Sequence, residues 1–173
     1  MENSGIITFL QLVQITAILL TGLLAGLFYG YDCSVIKGLG HLENSAYLQA
    51  FQSINKAIQN PYFFLSFMGS LLILPVASWL SYKQGAPFYL LLSASILYFI
   101  GVFGVTIGCN IPLNEQLATF QISSATESEI SVMRKTFEHS WNTYHKIRTA
   151  AAIAVFGLTI LALLKQSLML KSS

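Results

Sequence analysis

Two apolar runs in the middle of the chain decide the fold: YFFLSFMGSLLILPVASWLSY over residues 62–82 and FYLLLSASILYFIGVFGVTIG over residues 88–108. Lys83 is the only charged residue between the start of the first run and the end of the second. A helix rises about 1.5 Å per residue, so roughly 20 apolar residues cross a hydrocarbon core of about 30 Å. The two runs are therefore predicted to be neighbouring transmembrane helices joined by the short segment from Tyr82 to Pro87.

Two further apolar runs flank this pair, at residues 6–29 and 149–164. The composition agrees with four spans, because 54% of the residues are hydrophobic, 9% are charged and the mean hydropathy is +0.64. A soluble domain normally carries about 25% charged residues. We therefore predict one all-α domain over residues 1–173, an integral membrane four-helix bundle whose surroundings are the lipid bilayer.

The two connections on the other side of the bundle are long and carry helical patterns of their own. Within residues 31–60, apolar residues recur at the spacing of an amphipathic helix. In the second long connection the same spacing predicts another short helix through Leu113, Leu117 and Phe120. Because the remaining connection is short, both long loops are expected on the same face of the membrane.

The fourth span is expected to be part of an extended helix. From Ser124 the chain contains no proline, and no glycine before Gly157, so nothing obliges the helix to begin at the membrane surface. Two capping boxes are possible at its start, Ser124 with Glu127 or Thr126 with Glu129. The prediction is thus a bundle with short amphipathic helices in the two long loops and an extended fourth helix.

Glycines recur every third or fourth residue near the end of the first and third spans. Such small-residue ridges allow helix backbones to approach closely in a membrane. The tightest helix contacts are therefore expected toward the long-loop side. The residues concerned are Gly22, Gly26, Gly30, Gly101, Gly104 and Gly108.

Charge and cysteine content set further expectations. The net charge of +2 is small and dispersed, so no nucleic-acid partner is predicted. The N-terminal MENSG has no Lys or Arg, and the first apolar run is expected to remain as a span. The density of Lys and Arg in the short segments favours cytoplasmic termini, although their raw count favours the opposite orientation. Cys33 and Cys109 are expected near one membrane surface, where a disulfide is possible if that surface is extracytoplasmic and two free thiols are expected if it faces the cytosol.

The most informative polar segment is WNTYHKIRT, residues 141–149. Trp141, His145 and Arg148 are spaced i, i+4 and i+7, which places them on one helix face. An imidazole beside a permanent cation suits proton abstraction followed by stabilisation of the resulting anion. An aromatic and basic belt at head-group depth explains the same spacing equally well.

Two pairs of residues with amide side chains are further candidates for the same site. Asn110 is expected to cap the next helix, with Pro112 in its first turn, whereas Asn114 falls inside that helix and needs a partner or a ligand. Gln52 and Asn55 lie in the first long loop, on the same membrane face. Solvated surface is the default interpretation of that second pair, and a place in a ligand site is the alternative.

Four segments together resemble the anthrone-oxygenase-like family of four-helix membrane proteins, long catalogued as a domain of unknown function. They are the glycine-rich first span, FQSINKAIQNP (residues 51–61), VTIGCNIPLNEQL (residues 105–117) and WNTYHKIRTA (residues 141–150). In this family, some fungal members are associated with oxidation of polycyclic anthrones to anthraquinones by molecular oxygen, without an established cofactor. Many bacterial members have no assigned activity.

Residue by residue, the resemblance points to Asn110, Pro112, Asn114, Trp141, His145 and Arg148. It implies that His145 removes a proton from an acidic C–H group. Arg148 and an amide of Asn110 or Asn114 would then stabilise the enolate before it reduces oxygen. Gln52, Asn55 and Trp141 are the expected ligand-binding residues, and the ligand is a hydrophobic aromatic molecule.

Two other functions stay open. A metal site could use imidazoles of His41, His139 and His145, but the last two are six residues apart and lie on nearly opposite helix faces. The other function is non-enzymatic binding of a lipid or quinone-like ligand in an apolar pocket. The sequence leaves the substrate, any cofactor and the oligomeric state unknown.

Overall fold

The computed structural model describes residues 9–172, with side chains up to residue 169. Over that range the chain forms five helices and no strand. They are α1 (Phe9–Gly40), α2 (Asn44–Ala57), α3 (Pro61–Leu80), α4 (Ala86–Thr119) and α5 (Glu127–Ser172). The first three residues of the predicted first span, 6–8, lie outside the described residues.

Four of these helices are long and apolar enough to cross a membrane, namely α1, α3, α4 and α5. This confirms the predicted all-helical bundle and a multi-pass membrane protein. The cytoplasmic location of the termini stays a prediction. At 46 residues, α5 is about 69 Å long, more than twice the thickness of the hydrocarbon core, so a large part of it projects beyond the membrane.

The start of α5 is fixed by the second of the two predicted capping boxes. The backbone N–H of Thr126 donates to Glu129 Oε2 at 2.7 Å, and the N–H of Glu129 donates to Thr126 Oγ1 at 3.3 Å. These reciprocal bonds satisfy two amides that have no acceptor inside the helix. Asn60 caps α3 in a similar way, accepting from the N–H groups of Tyr62 and Phe63.

The short helix predicted in the second long loop is not separate. α4 continues through it to Thr119, passing two π-helical segments at Tyr98–Gly104 and Thr106–Asn110. α1 likewise continues beyond its predicted end and contains a π-helical segment at Tyr31–Val35. Wider π turns let both helices run past the membrane while changing which residues face inward.

The four long helices pack most closely against one another in the half nearer the chain termini. We call residues 9–25, 69–80, 86–103 and 151–169 the packed half, and residues 26–68 and 104–150 the open half. A methyl group placed on Gly101 would lie 2.8 Å from Ala151 Cβ, and one placed on Gly22 would lie 2.9 Å from the Phe156 ring. Leu74 and Val155 are fully buried in the same half.

The expectation that the tightest contacts lie toward the long-loop side is wrong. Methyl groups placed on Gly26, Gly30 or Gly108 would meet no atom within 4 Å. The physical reason is that no neighbouring helix packs against α1 or α4 at these positions, where the adjacent Leu27 and Ile107 border a cavity. A second apolar core closes this half outside the spans, formed by α2 and the ends of α1, α4 and α5.

Candidate functional site

A cavity of about 720 Å³ lies in the open half, between α1, α3, α4 and α5, with α2 across its outer end. This is the size of a typical small-molecule site. Its wall is largely aromatic and aliphatic. The polar and charged residues in the wall are Tyr31, Gln52, Asn55, Lys56, Gln59, Thr106, Asn114, Glu115, His145 and Arg148.

His145 is the most buried histidine of the described chain and lies in this wall, 1% exposed. Its ring stacks on the indole of Trp141, with ring centres 5.0 Å apart and planes 12° from parallel. Its Nε2 lies 3.1 Å from the carbonyl oxygen of Phe28. A carbonyl only accepts, so Nε2 carries the proton and Nδ1 holds the free lone pair of a neutral imidazole.

Arg148 donates a hydrogen bond to that lone pair. Its Nε donates to His145 Nδ1 at 3.2 Å, and its Nη2 lies 3.1 Å from the same atom. The three residues predicted to share a face of α5 therefore do touch one another. In this arrangement the imidazole orients the guanidinium, and it can act as a base only after Arg148 moves away.

The Arg148 guanidinium is buried among aromatic rings, 8% exposed. It lies 4.5 Å from the centre of the Phe28 ring and 5.1 Å from that of Trp141. Cation–π contacts offset part of the cost of burying the charge. Within residues 9–169 the only salt bridge joins Arg134 to Glu138, so the described chain supplies no carboxylate to Arg148. The site is therefore electropositive and suited to an anion.

The two asparagines of the second segment have different surroundings. Asn114 lines the cavity, and its Oδ1 accepts from the indole N–H of Trp141 at 2.8 Å, which leaves its amide N–H₂ group outside that bond. Asn110 lies behind the wall. Its Nδ2 donates to the Trp141 carbonyl at 3.4 Å, and its buried Oδ1 has no partner. The expected helix cap at Asn110 does not form, because the helix runs through this position without a break.

The polar residues of α2 face the cavity and its rim. Gln52 Nε2 donates to the carbonyl oxygens of Leu117 and Phe120, at 2.8 and 3.1 Å, and so ties α2 to the end of α4. Asn55 also lines the cavity, and its buried Nδ2 has no hydrogen-bond partner. Both residues are half-buried and line the cavity.

Tyr31 was missed by the sequence reasoning. It lies in the π-helical segment of α1, with its ring centre 5.3 Å from that of His145 and 5.5 Å from that of Trp141. Its hydroxyl is buried without a hydrogen-bond partner. A tyrosine just past an apolar run suggests an interfacial anchor, and no periodicity signals the π turn that carries it inward.

Arg134 was also missed, and it holds the outer end of the site together. Its guanidinium donates to the carbonyl oxygens of Gly40 and Leu42, at 3.0 and 2.6 Å, and to Glu138 at 3.0 Å. It also lies 4.5 Å from the centre of the Tyr47 ring. Burial raises the pKa of the Tyr47 hydroxyl above its usual value, so this ring stays neutral beneath the cation. The turn between α1 and α2 is thereby fixed against α5.

The remaining candidates of the sequence do not come together. His41 and His139 are exposed, and the described residues contain no group of three His, Cys, Asp or Glu side chains placed to hold a metal ion. Cys33 and Cys109 are both free.

Comparison with known proteins gives one result that bears on this site. The family described as anthrone oxygenase matches residues 63–158, more than half of the chain. The matched segment contains Asn110, Asn114, Trp141, His145 and Arg148, whereas α2 and Tyr31 lie before it. Neither a curated protein nor a solved structure matches this sequence.

Proposed function

Since the chain belongs to the anthrone oxygenase family, we propose that it oxidises a hydrophobic aromatic substrate with molecular oxygen in the cavity beside His145 and Arg148. The observation that carries the proposal is a buried guanidinium that points at a ligand-sized apolar cavity and has no carboxylate partner among the described residues. Such a cation stabilises the anion formed when a weakly acidic C–H group loses its proton.

Proton removal would begin with an exchange of partners at Arg148. When the carbonyl oxygen of the substrate approaches, the guanidinium turns from His145 Nδ1 to that oxygen. This frees the lone pair of Nδ1, while the Phe28 carbonyl continues to hold Nε2–H. His145 is then a neutral base that takes the proton from the activated methylene carbon, and the electron pair of the C–H bond moves into the enolate.

The enolate is the species that reduces oxygen. Overall, the methylene group and O₂ give a carbonyl group and water, so the substrate carbon is oxidised and both oxygen atoms are reduced. Within the cavity, the unpartnered donors of Tyr31 and Asn55 and the free amide N–H₂ of Asn114 would hold the oxygen atoms of the ligand. Asn110 acts indirectly, by supporting the backbone at Trp141.

The test uses the purified protein in lipid nanodiscs with anthrone and oxygen, and follows formation of anthraquinone. Glutamine retains an amide that can bond to the Phe28 carbonyl but provides no base, so His145→Gln should lower kcat by roughly 10²- to 10⁴-fold, the usual contribution of general base catalysis. His139→Gln, on the same helix but exposed, should keep full turnover. Turnover of His145→Gln equal to that of an active parent protein would show that the base is assigned wrongly.

One observation favours a second candidate, non-enzymatic binding of a lipid or quinone-like ligand. Both ring nitrogens of His145 already have partners, so the imidazole is held as an orienting group and not as an exposed base. A parent protein that forms no anthraquinone, yet releases a stoichiometric hydrophobic ligand on denaturation, would support binding over catalysis.

A further inference from the structure

The cavity reaches the outer surface of the bundle at a depth where that surface is apolar. Leu27, Phe64 and Ile107 all line the cavity, and each is also more than 40% exposed. They belong to three of the helices that are long and apolar enough to cross a membrane. Large apolar side chains that border a cavity and remain accessible mark its rim on the lipid side.

The gap between α3 and α4 accounts for the part of this opening that Phe64 and Ile107 border. The two helices touch deeper in the bundle, where the Tyr98 hydroxyl donates to the Phe67 carbonyl oxygen at 2.6 Å and the rings of Phe67 and Phe103 stack. Toward the long loops they diverge. At Gly108, one residue beyond Ile107, no atom lies within 4 Å of where a side chain would begin.

The lining of the cavity changes along its length. Its α3 side is formed by Phe63, Phe67 and Met68, which offer no hydrogen bond to a ligand through their side chains. The outer rim carries Lys56 and Glu115, both exposed. A molecule dissolved among acyl chains thus meets apolar side chains first, whereas one arriving from water meets charges first.

We propose that the ligand is a planar, membrane-dissolved aromatic molecule that enters sideways from the bilayer, between α3 and α4 and past Phe64 and Ile107. This rests on the proposed function only in taking the ligand to be a hydrophobic aromatic molecule. The path leads directly to the rings of Trp141 and His145 in the opposite wall, so the ligand reaches the site without crossing the aqueous phase.

The experiment uses the two tryptophans of the chain. Trp79→Phe removes an exposed residue of the packed half and leaves Trp141, 4% exposed in the cavity wall, as the only tryptophan. The protein is placed in nanodiscs of phosphatidylcholine with brominated acyl chains, and its fluorescence is compared with that in unbrominated lipid. Iodide, a quencher dissolved in water, tests whether Trp141 is accessible from the aqueous phase. We expect quenching by brominated chains and almost none by iodide.

A matched pair of variants locates the path. Ile107→Tyr narrows the rim and should lose most of the quenching by brominated lipid. Ile100→Tyr makes the same change on an exposed residue of α4 away from the cavity and should retain it. Equal quenching in both variants, or stronger quenching by iodide, would overturn lateral entry. If Ile107→Tyr does not fold, Phe64→Ala decides the question, since a wider rim should increase the quenching.

The outcome does not depend on catalysis. If Ile107→Tyr reduces quenching by brominated lipid but the parent protein forms no anthraquinone, the lateral path is supported and the oxygenase function is rejected. If His145→Gln abolishes turnover but Ile107→Tyr leaves the quenching unchanged, the oxygenase function is supported and the lateral path is rejected.

Discussion

The packed half and the open half of this bundle are built from the same long helices, but the first forms close helix contacts and the second encloses a cavity. In the packed half, glycines bring α1 and α4 close to α5, and apolar side chains such as Leu74 and Val155 are buried together with a few polar ones such as Gln14 and Ser70. In the open half the helices part, and the polar side chains of Asn114, His145 and Arg148 face a cavity. Close helix packing and the candidate site therefore lie in different parts of the same helices, so we expect a substitution in one part to leave the other unchanged.

The largest expected effect is a truncation in the packed half. Leu74→Ala should lower the free energy of unfolding by about 2 kcal/mol, the low end for buried leucines, because in a membrane the loss is mainly one of packing. The same change at Leu72, exposed on the same helix, should cost almost nothing. Unfolding in mixed micelles, followed by circular dichroism, measures both.

Leu27→Ala sharpens that comparison, because this side chain already borders empty space. Its effect on stability should resemble that of Leu72→Ala. A cost as large as that of Leu74→Ala would mean that the open half is as tightly packed as the other half.

A smaller effect is expected from adding a methyl group to a glycine. Gly101→Ala brings a Cβ to 2.8 Å from Ala151 Cβ, and overpacking of this kind should cost about 1–2 kcal/mol. Gly108→Ala, on the same helix, meets no neighbour and should leave stability unchanged or raise it slightly through its better helix propensity. The two variants are compared by thermal unfolding in detergent. Equal melting temperatures would contradict the division into halves.

The smallest effect concerns the attachment of α2. Gln52→Leu removes the bonds to the carbonyl oxygens of Leu117 and Phe120, at a cost of about 1 kcal/mol. Hydrogen exchange should therefore become faster in α2, by less than about tenfold, and remain unchanged in α3. Gln49→Leu, exposed on the same helix, is the control. Exchange that rises equally in both variants would mean that α2 is held by its apolar face alone.

The spans and the site face follow from local regularities, and for that reason the sequence predicts them. Length and hydropathy are sufficient for four membrane helices, and spacing alone is sufficient to bring Trp141, His145 and Arg148 together. The capping box at Thr126 is equally local. No long-range contact has to be known for any of these features.

The rest depends on long-range contacts or on departures from the α-helix. Asn110 and Pro112 predict the start of a separate helix, but the π-helical segment before them runs directly into the turns that contain the proline, so α4 is continuous. Arg134 and Tyr31 are part of the site because of residues far away in the chain, which no spacing rule identifies. The glycine ridges mislead for the same reason, since small residues permit either close contact or open space.

The π turns make the cavity wall on α1 and α4 sensitive to the loss of a single residue. A π turn places one more residue in a turn than an α turn does, without a comparable gain in length. Losing a single residue within Tyr31–Val35 or Thr106–Asn110 could therefore leave the helix continuous while rotating one part of it against the other by about a quarter turn, the angle between successive residues in a helix. A change of register that small would exchange the cavity wall for a different set of side chains, and so alter the ligand without altering the fold.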